Sequence, residues 1–305
     1  MKSRFFLFLK GVAMGAADLV PGVSGGTIAF ISGIYEELLL SIRSITPTNL
    51  SLLWKEGLGS FWKAINGTFL AVLLSGILLS IFSLAKLFAY LLSNHPVPLW
   101  SFFFGLIVAS LIVVGRKVSN WGLAPVVAFQ IGLIIGYTII SSVPTETTES
   151  LWFVFLSGSI AICAMILPGI SGSFILLLLG KYEFMLQSIS EMRIPILVVF
   201  GLGCVLGLLS FARLLSWMFK KYHDLTVALM VGFMLGSLPK VWPWKEVLEW
   251  HTNSKGIDVP LVEEPILPQS YSGDPQIFLA VAAALVGFLL VYILETKFSS
   301  RTKAL

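Results

Sequence analysis

The sequence predicts an all-α polytopic membrane protein built as an inverted-topology repeat. Each half is a re-entrant helical hairpin followed by three transmembrane helices. Three observations lead there. Of 305 residues 57% are hydrophobic and 12% charged, against about 25% charged in a soluble domain, and the mean hydropathy is +0.93. A Pro-Gly-x-Ser-Gly motif occurs twice in the same context. Lys and Arg are unevenly divided between alternate loops, so the net charge of +4 marks a cytoplasmic membrane face rather than a nucleic-acid partner.

Met1 to Arg4 followed by Phe5 to Leu9 has the start of a signal peptide. Lys10 interrupts that run, and the segment matches Trp152 to Gly158 with Gly11 on Gly158, so it is read as part of the fold. The first motif is Ala17-Asp18-Leu19-Val20-Pro21-Gly22-Val23-Ser24-Gly25-Gly26-Thr27, followed by Gly33-Ile34-Tyr35-Glu36. The second is Ala164-Met165-Ile166-Leu167-Pro168-Gly169-Ile170-Ser171-Gly172-Ser173-Phe174, followed by Gly180-Lys181-Tyr182-Glu183. Apolar matches carry little weight in so apolar a chain, but Pro, Gly, Ser, Tyr and Glu in one register do.

After the first motif only Ile28 to Ile34 is continuously apolar, roughly 10 Å of helix against about 30 Å of hydrocarbon. A helix that starts at a mid-membrane break and leaves on its side of entry fits that length. The same holds for Ile175 to Leu179, giving re-entrant hairpins over 5–42 and 151–190. Between 48 and 66, Leu50, Leu53, Trp54, Leu58, Phe61, Trp62 and Ile65 recur at helical spacing, which predicts an amphipathic interfacial helix or one packed on the protein. Six runs are candidates to cross: Phe69–Leu92, Leu99–Gly115, Leu123–Ser142, Pro195–Phe219, the short Leu225–Leu238, and Ile277–Leu294. The proline-rich stretch 240–275 reads as an extracytoplasmic loop.

The repeat extends past the motif, with Ala85-Lys86-Leu87 on Ala212-Arg213-Leu214 and Gly105 on Gly232. Two halves follow, 1–143 and 144–305. Three crossings per half is an odd number, so the second half is inverted. With both termini cytoplasmic, the inner side collects Lys2, Arg4, Lys10, Arg43, Lys55, Lys63, Arg116, Lys117, Lys220, Lys221, Lys297, Arg301 and Lys303. The outer side receives Lys181, Arg193, Lys240, Lys245 and Lys255 among Glu146, Glu149, Glu246, Glu249, Glu263 and Glu264. That is a positive-inside bias.

Inverted repeats with broken helices are characteristic of transporters, whose site lies near the midplane. In each break Pro ends the incoming helix, Gly permits the turn, and Ser24 or Ser171 can cap the outgoing helix. The exposed N–H groups of Gly25, Gly26 and Thr27, and of Gly172 and Ser173, then suit an anion. The alternative is close helix packing by small residues. Lys86 and Arg213 occupy equivalent places inside crossing segments, as cationic handles for a phosphate or as snorkelling side chains. Asp18, whose counterpart is Met165, is an intramembrane carboxylate, read as a coupling site for a proton or sodium ion or as a structural cap. Tyr35, Glu36, Tyr182 and Glu183 are expected near the interfaces, in gating, helix-end pairing or substrate contact. Cys163 and Cys204 lack metal-ligand spacing, so neither disulfide, metal nor cofactor is expected.

Gly15 to Thr27, with the later Gly-x-Tyr-Glu, closely resembles the bacterial and archaeal family of polyprenyl-phosphate transporters, and the likeness runs through both motif copies. The resemblance implies a plasma-membrane protein that carries undecaprenyl phosphate from the outer to the inner leaflet for reuse in cell-wall synthesis. Membrane lipids would be its surroundings and polyprenyl phosphate its partner. An enzyme similar to undecaprenyl-diphosphate phosphatases is the competing resemblance, but Gly25 and Gly172 stand where that family's motif has Arg. Phosphoryl transfer wants an Arg or metal clamp, and His95, His223 and His251 have no catalytic partner in register. A small-anion carrier is the third reading.

Overall fold

Long apolar runs closed by polar turns become the long helices, two of them opened by Pro96 and Pro195. The computed structural model describes residues 2–20, 23–145, 147–252 and 258–302. The first half comprises α1 (Lys2–Asp18), α2 (Gly25–Ile31), α3 (Tyr35–Arg43), α4 (Pro47–Lys55), α5 (Leu58–Ala64), α6 (Gly67–Asn94), α7 (Pro96–Gly115) and α8 (Leu123–Ile140). The second comprises α9 (Leu151–Ile166), α10 (Gly172–Leu178), α11 (Tyr182–Ser190), α12 (Ile194–Lys221), α13 (His223–Ser237), β1 (Lys245–Thr252), β2 (Asp258–Pro265) and α14 (Ile277–Thr302). Helices α6, α7, α8, α12 and α13 with its short extension to Val241 are long and apolar enough to cross a membrane. The extension resolves the shortness of the Leu225–Leu238 run.

Helix α1 packs along α6, and α9 along α12. Helix α7 packs on α14, and α13 on α8. The last two contacts close on equivalent glycines: a Cβ on Gly105 would strike the Ala284 carbonyl, and one on Gly232 the Phe129 carbonyl. Small residues let membrane helices approach this closely. Helix α2 turns back along α1, where Lys10 Nζ donates to the Ser32 carbonyl at 2.6 Å, and α3 then bends away by 115°.

The end of α2 explains one repeated glycine. Gly33 (φ +72) donates to Phe30 and Ile34 donates to Ala29, a Schellman closure that needs a left-handed residue. Gly180 (φ +61) and Lys181 make the same pair of bonds to Leu177 and Leu176. The core that joins the halves contains Phe30, Tyr35 and Leu39 from the first with Leu215, Phe219 and Met230 from the second.

Two expectations are corrected here. The stretch 48–66 is two helices rather than one, because Gly57 takes φ +87 and breaks the run between α4 and α5. Its apolar face stays open, with Trp54 83% exposed. Within the segment 240–275, read as a loop between spans, the chain forms a β-hairpin. Strands β1 and β2 pair antiparallel from Lys245 opposite Pro265 to Thr252 opposite Asp258, so the chain departs from an all-α fold by one hairpin. Pro260 and Pro265 lie at strand positions, but a two-stranded ribbon is edge throughout and tolerates a missing N–H.

Candidate functional site

The last carbonyls of a helix have no intrahelical donor, and at the end of α9 the first motif supplies the donors. Ser24 Oγ donates to the Met165 carbonyl at 2.7 Å, and Tyr35 Oη donates to the Ile166 carbonyl at 3.1 Å. In return the Gly169 N–H donates to Thr27 Oγ1 at 3.0 Å. The two motifs therefore meet, residues 24–27 against 165–169. Pro21 and Gly22, half of the first break, lie outside the described residues, as do Glu146, Lys255 and Lys303.

The first tip is sealed. Val23 to Thr27 are all buried. Ser24 is the N-cap of α2, its Oγ accepting from the Gly26 N–H at 3.0 Å. The Gly25 N–H, one residue back, donates to Asp18 Oδ1 at 2.7 Å. Asp18 thus puts a carboxylate oxygen where an anion would otherwise meet the start of α2.

The second tip differs. Ser171 was expected to cap α10 as Ser24 caps α2, but it makes no side-chain cap. Its hydroxyl lies 2.6 Å from Ser173 Oγ instead. Met165 stands where Asp18 does and brings no carboxylate. Gly172 is half-buried and Ser173 exposed, and among the described residues no side chain caps the first turn of α10.

Tyr35 is 2% exposed, with its ring 4.9 Å from Phe30 and 5.8 Å from Phe219. Its counterpart Tyr182 is 40% exposed. The difference follows from α3, which packs on α12 and carries Tyr35 into the core. Glu36 lines a crevice with Arg43, Ser216, Phe219 and Lys220, its Oε1 4.0 Å from His223 Nε2. Glu183 is half-buried on α11. Neither cationic handle lies among the tip contacts. Lys86 is exposed on α6, and the exposed Arg213 donates to the Ile45 carbonyl at 3.4 Å, beyond α3.

Sequence reasoning missed two buried lysines. Lys181 is 2% exposed and donates to the Thr147 carbonyl at 2.7 Å. Its place in the repeat, opposite the buried Ile34, was the signal. Lys245 was counted only as loop charge. It stands 3.5 Å from Glu263 Oε2, which also pairs with Lys240 at 3.2 Å.

The undecaprenyl phosphate translocase-like family model matches residues 14–259. A polyprenyl-phosphate transporter of Vibrio cholerae is 48% identical over 94% of this chain and 95% of its own. A polyprenyl-phosphate transporter of Staphylococcus aureus is 36% identical over 79% of this chain and 87% of its own. No solved structure matches.

Proposed function

The chain belongs to the undecaprenyl phosphate translocase-like family, and on that premise we propose that it is a polyprenyl-phosphate transporter. It takes the lipid carrier from the outer leaflet of a prokaryotic plasma membrane and releases it to the inner one for reuse. The observation that carries this reading is the unequal state of two equivalent tips. The first is buried and capped by Asp18, while the second opens outward with uncapped N–H groups.

In this reading the halves are inverted repeats and the hairpins re-entrant, with the N-terminus cytoplasmic. The first tip, with α3 against α12, closes the cytoplasmic side. The phosphate enters from outside at Gly172 and Ser173, with Ser171 beside it, and its prenyl tail stays in lipid. Alternation then exchanges the roles of the tips. Register places Ser171 and Tyr182 as the counterparts of Ser24 and Tyr35, so they would bond the carbonyls of Asp18 and Leu19 at the end of α1. Gly25, Gly26 and Thr27 become free for the headgroup. Lys86 and Arg213 serve as handles at the two leaflets, and Glu36 and Glu183 as gate residues beside the tyrosines.

Two measurements follow. Liposomes carrying the purified protein should lose undecaprenyl phosphate from the outer leaflet without releasing inorganic phosphate from the diphosphate. Correctly inserted protein that moves no lipid removes the proposal, and phosphate release moves it to the enzyme. The tyrosines should split. Tyr35→Phe should lower unfolding stability by about 1 kcal/mol, the net value of one hydrogen bond. Tyr182→Phe should leave stability unchanged yet slow transport, because its bond forms only in the other state. Equal effects of the two on stability would count against exchange.

A further inference from the structure

One cluster of buried charge lies beside the second tip and, among the described residues, holds two cations and one anion. Lys240 follows α13, Lys245 opens β1 and Glu263 sits on β2, with side chains 16%, 8% and 20% exposed. Two ammonium groups therefore share one carboxylate. Lys245 Nζ is closed to solvent and, among the described residues, makes no well-formed hydrogen bond, its contact to Glu263 being the long one of 3.5 Å, and it lies 3.7 Å from the centre of the Trp100 ring. Burying an uncompensated charge is costly. Burial pushes the Lys245 ammonium down to about 8 despite the attraction of Glu263. Burial acts upward on Glu263, but Lys245 and Lys240 outweigh it and hold that carboxyl below its usual range. The cluster also touches the second tip, since Lys240 Nζ lies 4.8 Å over the ring of Phe174, the third residue of α10.

A cation in excess, an ammonium held only by a long contact to a shared carboxylate, and a contact with the Phe174 ring of α10 describe a place for a second anion. We propose that Lys240 and Lys245 form a docking site for a phosphate-monoester dianion on its way to Ser171–Ser173, with Glu263 the resident counter-ion that the phosphate displaces. The substrate class and the outer location rest on the transporter reading. A dianion balances two lysines where a single carboxylate cannot, and displacement of Glu263 frees the β-hairpin from the end of α13.

The test uses full-length protein in nanodiscs, titrated with farnesyl phosphate and separately with inorganic phosphate, with tryptophan fluorescence and calorimetry as readouts. Lys245→Gln and Lys240→Gln should each weaken farnesyl phosphate at least about tenfold, and Glu263→Gln should tighten it by a similar factor (about 1.4 kcal/mol per tenfold). That split in sign is the criterion, because a structural latch would weaken binding from either side. Glu263→Gln that weakens binding or leaves it unchanged overturns the proposal. Equal affinity for inorganic phosphate overturns lipid loading and assigns the site to free phosphate. Should Lys245→Gln not fold, Lys240→Gln and Lys245→Arg decide, the first losing affinity and the second keeping it. Wild-type transport in liposomes is measured alongside. Transport without the split in sign defeats only the docking site, whereas absent transport defeats the transporter reading whatever the binding shows.

Discussion

Replacing Gly26 by alanine is expected to abolish transport and lower the unfolding midpoint by several degrees. Gly26 is the second residue of α2 and is buried against the end of α9. A Cβ there would stand 2.5 Å from the Ile166 carbonyl oxygen and 3.0 Å from that of Met165. These are the carbonyls that Tyr35 and Ser24 bond. Backbone cannot swing aside as a flexible side chain can, so the methyl must push α2 off α9. Three bonds, from Ser24, Thr27 and Tyr35, lengthen together, and at about 1 kcal/mol each the loss is about 3 kcal/mol. Transport suffers more than stability, because the closed side opens and alternation loses one of its two states. Gly59→Ala, in α5, where an added Cβ meets nothing within 4 Å, is the control and should leave both quantities unchanged. Gly26→Ala with normal transport and a normal midpoint would sink the requirement that the tips touch.

The meeting of the tips was legible as a possibility, while its inequality was not. The duplicated Pro-Gly-x-Ser-Gly and the paired Gly33 and Gly180 could be read because each reflects local backbone chemistry that repeats wherever the letters do. Gly11 on Gly158 was readable for the same reason, since both let a short helix lie against a long one. Tyr35 and Tyr182 share a glycine two residues before and a glutamate after, yet one is buried and the other exposed. What separates them is Phe219 and the packing of α3 on α12, tertiary contacts that the letters around the tyrosines do not carry. The β-hairpin was hidden for another reason. Its alternation over Lys245 to Trp250 is interrupted by register shifts between Val247 and Glu249 and between Glu249 and Trp250, so a strict period-two reading fails there. At Gly57 the helical periodicity of the apolar residues outweighed, in the sequence, a backbone position that a helix cannot continue through.

The largest remaining effect is expected at Asp18, where two substitutions separate charge from shape. Asp18→Asn keeps an oxygen for the Gly25 N–H and almost the same volume but carries no charge. Asp18→Ala removes the acceptor as well. Were Asp18 only a cap, the asparagine would be nearly silent and the alanine would cost about 1 kcal/mol with little loss of transport. The transporter reading gives Asp18 a different task. A phosphate handed to the first tip needs the same N–H groups that the carboxylate now holds, and Met165 offers no such competition at the second tip. Return of Asp18 to Gly25 would then expel the headgroup on the inner side, and a carboxylate expels a phosphate far better than a neutral amide because both seek the same positive end of α2. Asp18→Asn should therefore retain stability yet lose transport at least about tenfold, the equivalent of 1.4 kcal/mol, as Asp18→Ala does. The check is initial transport rate in liposomes for the three proteins, with imposed proton and sodium gradients in turn. Asparagine transporting at the wild-type rate, with unchanged response to both gradients, would return Asp18 to the role of a cap. A slow asparagine variant that no longer responds to one gradient would name the ion that accompanies displacement, because that ion must neutralise the carboxylate each time a phosphate takes its place.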